Sequence, residues 1–193
     1  MSIPIILASS SVYRRQILER LGLEFSCRSP EIDETHRTAE SAEAMVERLS
    51  IEKANAIAKT VSTGLVIGSD QVSEQNGEIL GKPLDHDDAV KQLQRASGSE
   101  ATLYSGVAVV NAASGKVQSK VVKVEVICRA LNDQEIERYL AADKPYNCCG
   151  SLKVEGLGIA LLERISSDDP NAISGLPVIA LLGMLRDEGI TLP

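Results

Sequence analysis

The stretch Ile5-Ile6-Leu7-Ala8-Ser9-Ser10-Ser11-Val12-Tyr13-Arg14-Arg15-Gln16-Ile17-Leu18 constrains this chain more than any other part of it. Ile3 to Ala8 is a short apolar run, the pattern of a buried strand. Three serines follow, and serine is a preferred helix N-cap. A helical period then runs from Val12 through Ile17, Leu18 and Leu21 to a stop at Gly22. The chain therefore reads as strand, serine turn, helix. Arg14 and Arg15 fall in the first helical turn, where the macrodipole disfavours cations. Two readings stand. Either both arginines are solvated surface residues, or an anion binds there and hydroxyls, backbone N–H groups and the guanidinium pair converge on one phosphate.

A chain of 193 residues makes one domain or two small lobes with a real core. Its 44% hydrophobic and 24% charged residues are ordinary for a soluble globular protein. The net charge of −7 argues against a nucleic-acid duplex as partner, which needs a basic face. With no Trp and one Phe, stacking platforms for single strands are scarce. A polyanion site must then be a local cluster of cations. The N-terminus shows no signal-peptide pattern, and no apolar run is long enough for a membrane span. Cys27, Cys128, Cys148 and Cys149 include no C-x-x-C pair, which implies reduced cysteines and a cytoplasmic protein.

The remaining pattern alternates strands and helices. It predicts a strand at Leu23–Cys27, a polar loop Arg28–Glu40, and a long helix capped by Ser41. A strand Leu65–Ser69 ends at Asp70, and Asn76-Gly77 reads as a hairpin turn. Asp85 opens a helix to Ala96, stopped by Gly98. Long strands follow at Leu103–Val110 and Val117–Arg129, and Asn132 with Glu135 has capping-box spacing. A strand Ile159–Ile165 and a helix Val178–Glu188 opened by Pro177 complete the pattern. The expected class is α/β, a mixed twisted sheet with flanking helices, with two lobes around a central cleft.

Several standard motifs are absent. Gly77 to Pro83 mimics a phosphate-binding loop but is one residue short, with Pro83 where Ser or Thr belongs. His36 and His86 lie in polar surroundings, which disfavours a triad or a His-rich zinc site. Carboxylates and lysines at element ends remain. Asp70 follows a buried apolar run, facing the crevice where α/β sheets bind ligands, or else capping a turn. Lys53 interrupts an apolar helical face; it snorkels to solvent or serves a site. Lys82 lies between Gly81 and Pro83, and Asp33-Glu34 end a loop near the first strand–helix turn. Carboxylates that hold Mg²⁺ or Mn²⁺, with lysines and arginines for phosphate oxygens, suit phosphate-anhydride chemistry.

These pieces together resemble the Maf family of nucleoside triphosphate pyrophosphatases. They are Leu7-Ala8-Ser9-Ser10-Ser11 with Arg14-Arg15, Pro30-Glu31-Ile32-Asp33-Glu34, and Glu52-Lys53-Ala54. Gly68-Ser69-Asp70-Gln71, Gly81-Lys82-Pro83, and Asp169-Pro170-Asn171 through Gly175-Leu176-Pro177 follow in family order. The resemblance spans essentially the whole chain, residues 1–193, as a single Maf-like domain. It implies a two-lobed fold related to ITP pyrophosphatases, a divalent metal and a homodimer. It implies Asp70 as catalytic acid/base, and Ser9, Arg14, Glu34, Lys53 and Lys82 at phosphate and metal positions, with Glu34 and Asp70 on the metal. Tyr13, Gln71 and Glu155 match the positions that sort specificities, and resemble the 7-methyl-GTP subfamily; Tyr13 departs from it, standing where Trp is expected. The dTTP/UTP subfamily carries Arg, Thr and Gln instead. Physically, a methylated guanine is cationic and stacks on an aromatic face, and a glutamate accepts from its N1–H and N2–H edge. The rivals are a dTTP/UTP or broad-range nucleotide pyrophosphatase and, in a different class, a non-catalytic nucleotide-sensing protein in cell-division control. Asp70 and Lys82 together speak against pure sensing, since binding alone needs no water-activating carboxylate.

Overall fold

The computed structural model describes residues 3–191. Seven strands and five α-helices form a mixed α/β architecture. In chain order these are β1 (Ile5–Ala8), α1 (Val12–Arg20), β2 (Phe25–Cys27), α2 (Ala42–Ala58), β3 (Leu65–Gln75), β4 (Glu78–Leu80), α3 (His86–Ala96), β5 (Glu100–Asn111), β6 (Val117–Cys128), α4 (Asp133–Asp143), β7 (Leu162–Ser167) and α5 (Val178–Asp187). The sheet order is β2-β1-β3-β5-β6-β7, with β4 paired to β3. Contacts divide the chain into two units. The first holds residues up to Asp70 with Ser105–Val122 and the segment from Asp169 onward; the second holds Gln71–Tyr104 and Lys123–Asp168.

In the first unit β1 pairs in parallel with both β2 and β3. Parallel strands are covered on both faces, which explains why β1 and the start of β3 are apolar without alternation. Ile5, Leu7, Leu65 and Ile67 point to one face and pack with Ile17 and Leu18 of α1 and Leu181 and Leu185 of α5. Ile6, Ala8 and Val66 point to the other and meet Ala54, Ile57 and Ala58 of α2. That second layer is built from small residues, and its spacing is set by two glycines. A methyl group on Gly68 would overlap the Ser50 carbonyl oxygen and stand 2.7 Å from Ala54 N. One on Gly106 would stand 2.7 Å from Val46 Cγ1. Only glycine at both positions lets the α2 backbone lie this close to the strands.

Local signals place most element ends. Ser11, Ser41 and Asp85 cap α1, α2 and α3, and the Asn132–Glu135 capping box opens α4. Asn76 and Gly77 both have positive φ, 51° and 80°, the turn that matches strand twist in a two-residue hairpin. Three expectations are corrected. β3 does not stop at Asp70; it continues because Ser73–Gln75 pair antiparallel with β4. The last strand starts at Leu162, since Leu157–Leu161 wind into a 3₁₀ turn. Pro177 sits at the cap of α5, one residue before its first turn. The second unit packs α3 against α4 through Ala89, Leu93, Ile136, Tyr139 and Leu140. None of the four cysteines forms a disulfide. No described helix is long and apolar enough to cross a membrane.

Residues 28–40 make no strand or helix, yet they are anchored to α2. Arg48 grips Glu40 with both arms, Nε to Oε1 at 2.6 Å and Nη2 to Oε2 at 2.8 Å. Hydrogen bonding from Arg48, and secondarily from the Arg37 amide, holds the Glu40 carboxyl down at about 2, against an ordinary 4.5. A depressed carboxyl stabilises the fold above its unfolded value, and that contribution is lost as pH falls through the folded value. The urea midpoint of the wild type should therefore exceed that of Glu40→Gln above about pH 5, and the gap should close between pH 4.5 and 2. A constant gap over that range would remove Glu40 ionisation as its cause.

Candidate active site

β1 ends at Ala8, in register with Gly68 of β3. β3 runs on past this point, so Asp70 lies two residues beyond the end of its neighbour. The carboxylate is therefore within its own strand but just past the end of β1. α2 lies over this point because of Gly68, and two of its side chains reach Asp70. Ser50 Oγ accepts the Asp70 N–H at 3.0 Å and donates to the Val46 carbonyl at 2.7 Å. Lys53, one turn further on, donates from Nζ to Asp70 Oδ1 at 2.6 Å. The same ammonium donates to Glu34 Oε2 at 3.0 Å.

Lys53 and Asp70 side chains are 9% and 10% exposed, Glu34 55%. The lysine does not snorkel; its charge is kept inside by two carboxylates, the condition under which a buried ammonium is tolerated. Oδ1 of Asp70 is occupied by Lys53, and among the described residues none bonds Oδ2. One oxygen of the carboxylate is thereby oriented by the ammonium. Glu34 and Asp70 supply two hard oxygen donors at one ammonium. That is the number Mg²⁺ commonly takes from a protein when substrate phosphates and water complete its octahedron. No larger group of His, Cys, Asp or Glu able to cage a metal exists among the described residues.

The serine turn brings Ser9 and Arg14 together. Ser9 Oγ accepts the Ser11 N–H at 3.1 Å and lies 3.4 Å from Arg14 Nη1. Arg14 Nε donates to the Gly175 carbonyl at 2.8 Å. Ser69 Oγ lies 2.7 Å from that same oxygen and from the Gly106 carbonyl. One carbonyl thus ties the first turn of α1 to β3 beside Asp70. Gly175 reaches it in the left-handed region, φ 86°. The buried Asp169 carboxylate supports this segment, accepting the Asn171 and Ile179 N–H groups and serving as the cap that Pro177 cannot provide.

Arg15 is the exception. Its Nε pairs with Glu19 on the exposed surface at 2.8 Å, so the expected guanidinium pair is a single guanidinium. Successive helical residues point about 100° apart, so the two arginines cannot face one turn together. Tyr13 is partly buried on the first turn of α1.

The second unit carries Gln71, Lys82 and Glu155. The Cys149 thiol lies 3.4 Å from the Gln71 carbonyl, and Gly150 N–H donates to Gly81 O at 3.1 Å. The turn at residues 149–151 therefore joins β3 at Gln71 to the segment bearing the exposed Lys82. Glu155 is exposed on a loop whose neighbour Lys153 donates its N–H to Tyr139 Oη at 2.8 Å. Residue patterns did not single out Arg48, Ser50 or Ser69. Arg48 and Glu52 do show i,i+4 opposite charges, the one local signal available for them.

Residues 4–188 match the family model described as Maf-like protein. A 7-methyl-GTP pyrophosphatase of Pseudomonas savastanoi pv. phaseolicola is 47% identical over 189 residues, 98% of either chain. One from Pseudomonas aeruginosa is also 47% identical over 189 residues, again 98% of either chain. Among solved structures, the Staphylococcus aureus Ham1 protein is 18% identical, covers 96% of this chain and 99% of its own, and superposes with a TM-score of 0.50, a likeness of fold alone. With a family model spanning nearly its whole length and relatives at 47% identity, this chain belongs to the Maf-like family.

Proposed function

We propose that this protein hydrolyses nucleoside triphosphates between the α- and β-phosphates, with 7-methyl-GTP as its preferred substrate. The observation that carries this is the buried Lys53 shared by Asp70 and Glu34, beside a serine turn holding Arg14. It contains a base, cations for phosphate oxygens and two carboxylates, and among the described residues no Ser–His or Cys–His pair is placed there. Pyrophosphatase relatives at 47% identity support the same reading.

In this mechanism water is the nucleophile. Asp70 Oδ2 accepts its proton as the water oxygen bonds to the α-phosphorus. The bond from that phosphorus to the bridging oxygen breaks, and pyrophosphate leaves with the electron pair. Lys53 holds Asp70 in orientation through Oδ1, and Arg14 and Lys82 neutralise phosphate oxygens as charge develops, usually the largest contribution in such reactions. A divalent cation, held by Glu34 and Asp70, would supply Lewis-acid polarisation of the phosphates when bound. Tyr13 stacks on the cationic base, while Gln71 and Glu155 read its edge. The protein acts in the cytoplasm, as a homodimer.

The test is a nucleotide panel in ¹⁸O-water with pyrophosphate detection. The expected outcome is label in the nucleoside monophosphate and pyrophosphate as the other initial product. Preference for 7-methyl-GTP over GTP should be about 5- to 30-fold, the size of a cation–π contact of about 1–2 kcal/mol. Label in pyrophosphate overturns the mechanism. A preference for UTP or dTTP overturns the substrate, and binding without turnover supports the sensing alternative.

A further inference from the structure

We infer that Arg48 is a positioning residue for Glu34, and that the charge of the site depends on it although it touches neither Lys53 nor Asp70. The catalytic consequence rests on the pyrophosphatase reading; the placement does not.

Glu34 needs an external support. It lies on a segment without regular structure, its side chain is 55% exposed, and its contact with Lys53 is one hydrogen bond. A single ion pair with its carboxylate half open to solvent does not order a coil, because the backbone entropy lost on fixing the residues exceeds what such a pair returns. Arg48 supplies the support on the C-terminal side of Glu34. Its Nη2 donates at 3.2 Å to the carbonyl of Thr35, the next residue, and its fork grips Glu40 at the far end of the loop. Its Nη1 is fixed in turn by Glu52 at 3.0 Å. The Arg48 side chain is only 12% exposed. Shorter closures add to it within the loop. Asp33 Oδ1 accepts the Thr35 N–H at 2.9 Å, and His36 Nε2 lies 2.7 Å from Glu40 O. Arg48 and Lys53 stand on the same helix, so one rigid element both anchors the loop and receives the carboxylate the loop carries.

The fork is the requirement here. Guanidinium offers five donors in a plane and serves Glu40, Glu52 and the Thr35 carbonyl at once; a lysine ammonium cannot span them. Arg48→Lys keeps the charge and most of the stem, so it separates positioning from charge.

The experiment is a double-mutant cycle of Arg48→Lys and Arg48→Met with Glu34→Gln, read as kcat/KM for 7-methyl-GTP, with amide exchange followed over residues 31–40. In the parent background both Arg48 variants should lose about 10- to 100-fold, the usual cost of removing a group that orients a ligand carboxylate. With Glu34 already Gln, the same substitutions should cost less than about threefold, because the group they position is gone. Loop amides should exchange faster in both variants, while those of β1 and β3 keep their protection. Equal losses in both backgrounds, or unchanged loop exchange, would overturn the inference. If Arg48→Met fails to fold, Arg48→Lys carries the cycle alone. If the parent cleaves no triphosphate at all, the pyrophosphatase reading falls, and the exchange result decides the placement by itself.

Discussion

Asp70→Asn is expected to fold as the parent does and to lose at least about 10²-fold in kcat, and as much as about 10⁴-fold, the range for removing a general base. The change is nearly isosteric. Asn keeps an oxygen for the Lys53 ammonium, now 2.6 Å from Oδ1, and the backbone N–H remains on Ser50 Oγ. Only the ability to take a proton is removed, together with one negative charge at the site. The barrier should rise by about 2.7–5.4 kcal/mol, while KM changes little. Steady-state kinetics with a circular-dichroism melt checks it. Near-normal turnover would take Asp70 out of catalysis, and a lost transition would show that the carboxylate is structural.

Gly68→Ala should have the largest effect on stability of any single methyl group added to the first unit. The new carbon would overlap the Ser50 carbonyl oxygen and stand 2.7 and 2.9 Å from Ala54 N and Cβ. These neighbours are helix backbone and a packed methyl, which cannot swing aside. Relief requires α2 to move off β3, at a cost of about 1–3 kcal/mol or more for overpacking. The same movement draws Lys53 and Ser50 away from Asp70, so activity should fall beyond what the lost stability explains. Gly77→Ala is the control, since no atom lies within 4 Å of its added carbon, although its φ of +80° is strained. Chemical denaturation and kcat/KM together read the result. A Gly68→Ala protein with parental stability and rate would mean that α2 shifts at no cost, and the close-packing account would fail.

How much of this was legible beforehand differs by element. The strand–serine–helix opening, the Ser41, Asp85 and Asn132 caps and the Asn76-Gly77 hairpin were all readable, because caps and turns depend on residues within four positions of one another. The end of β3 was not readable at Asp70. Whether a strand continues depends on a partner, and β4 supplies one three residues later. Ile159 looked like strand for the same reason that Leu162 is strand, an apolar character that a 3₁₀ turn also satisfies.

Candidate site residues divide along the same line. Ser9, Arg14, Glu34, Lys53, Asp70 and Lys82 are discernible as types in telling local settings, and the family resemblance adds Tyr13, Gln71 and Glu155. Composition and local pattern by themselves determined an α/β chain with a serine turn after its first strand and unusual charges at element ends. Tertiary structure alone decided that Lys53 is shared by Asp70 and Glu34, that Arg14 turns inward while Arg15 pairs with Glu19, and that Arg48 holds the chain just after Glu34. The physical reason is range. Propensity and capping act over a few residues of chain, whereas a hydrogen bond at 3 Å between residues 17 or 161 positions apart exists only after the sheet and its covering helices have packed.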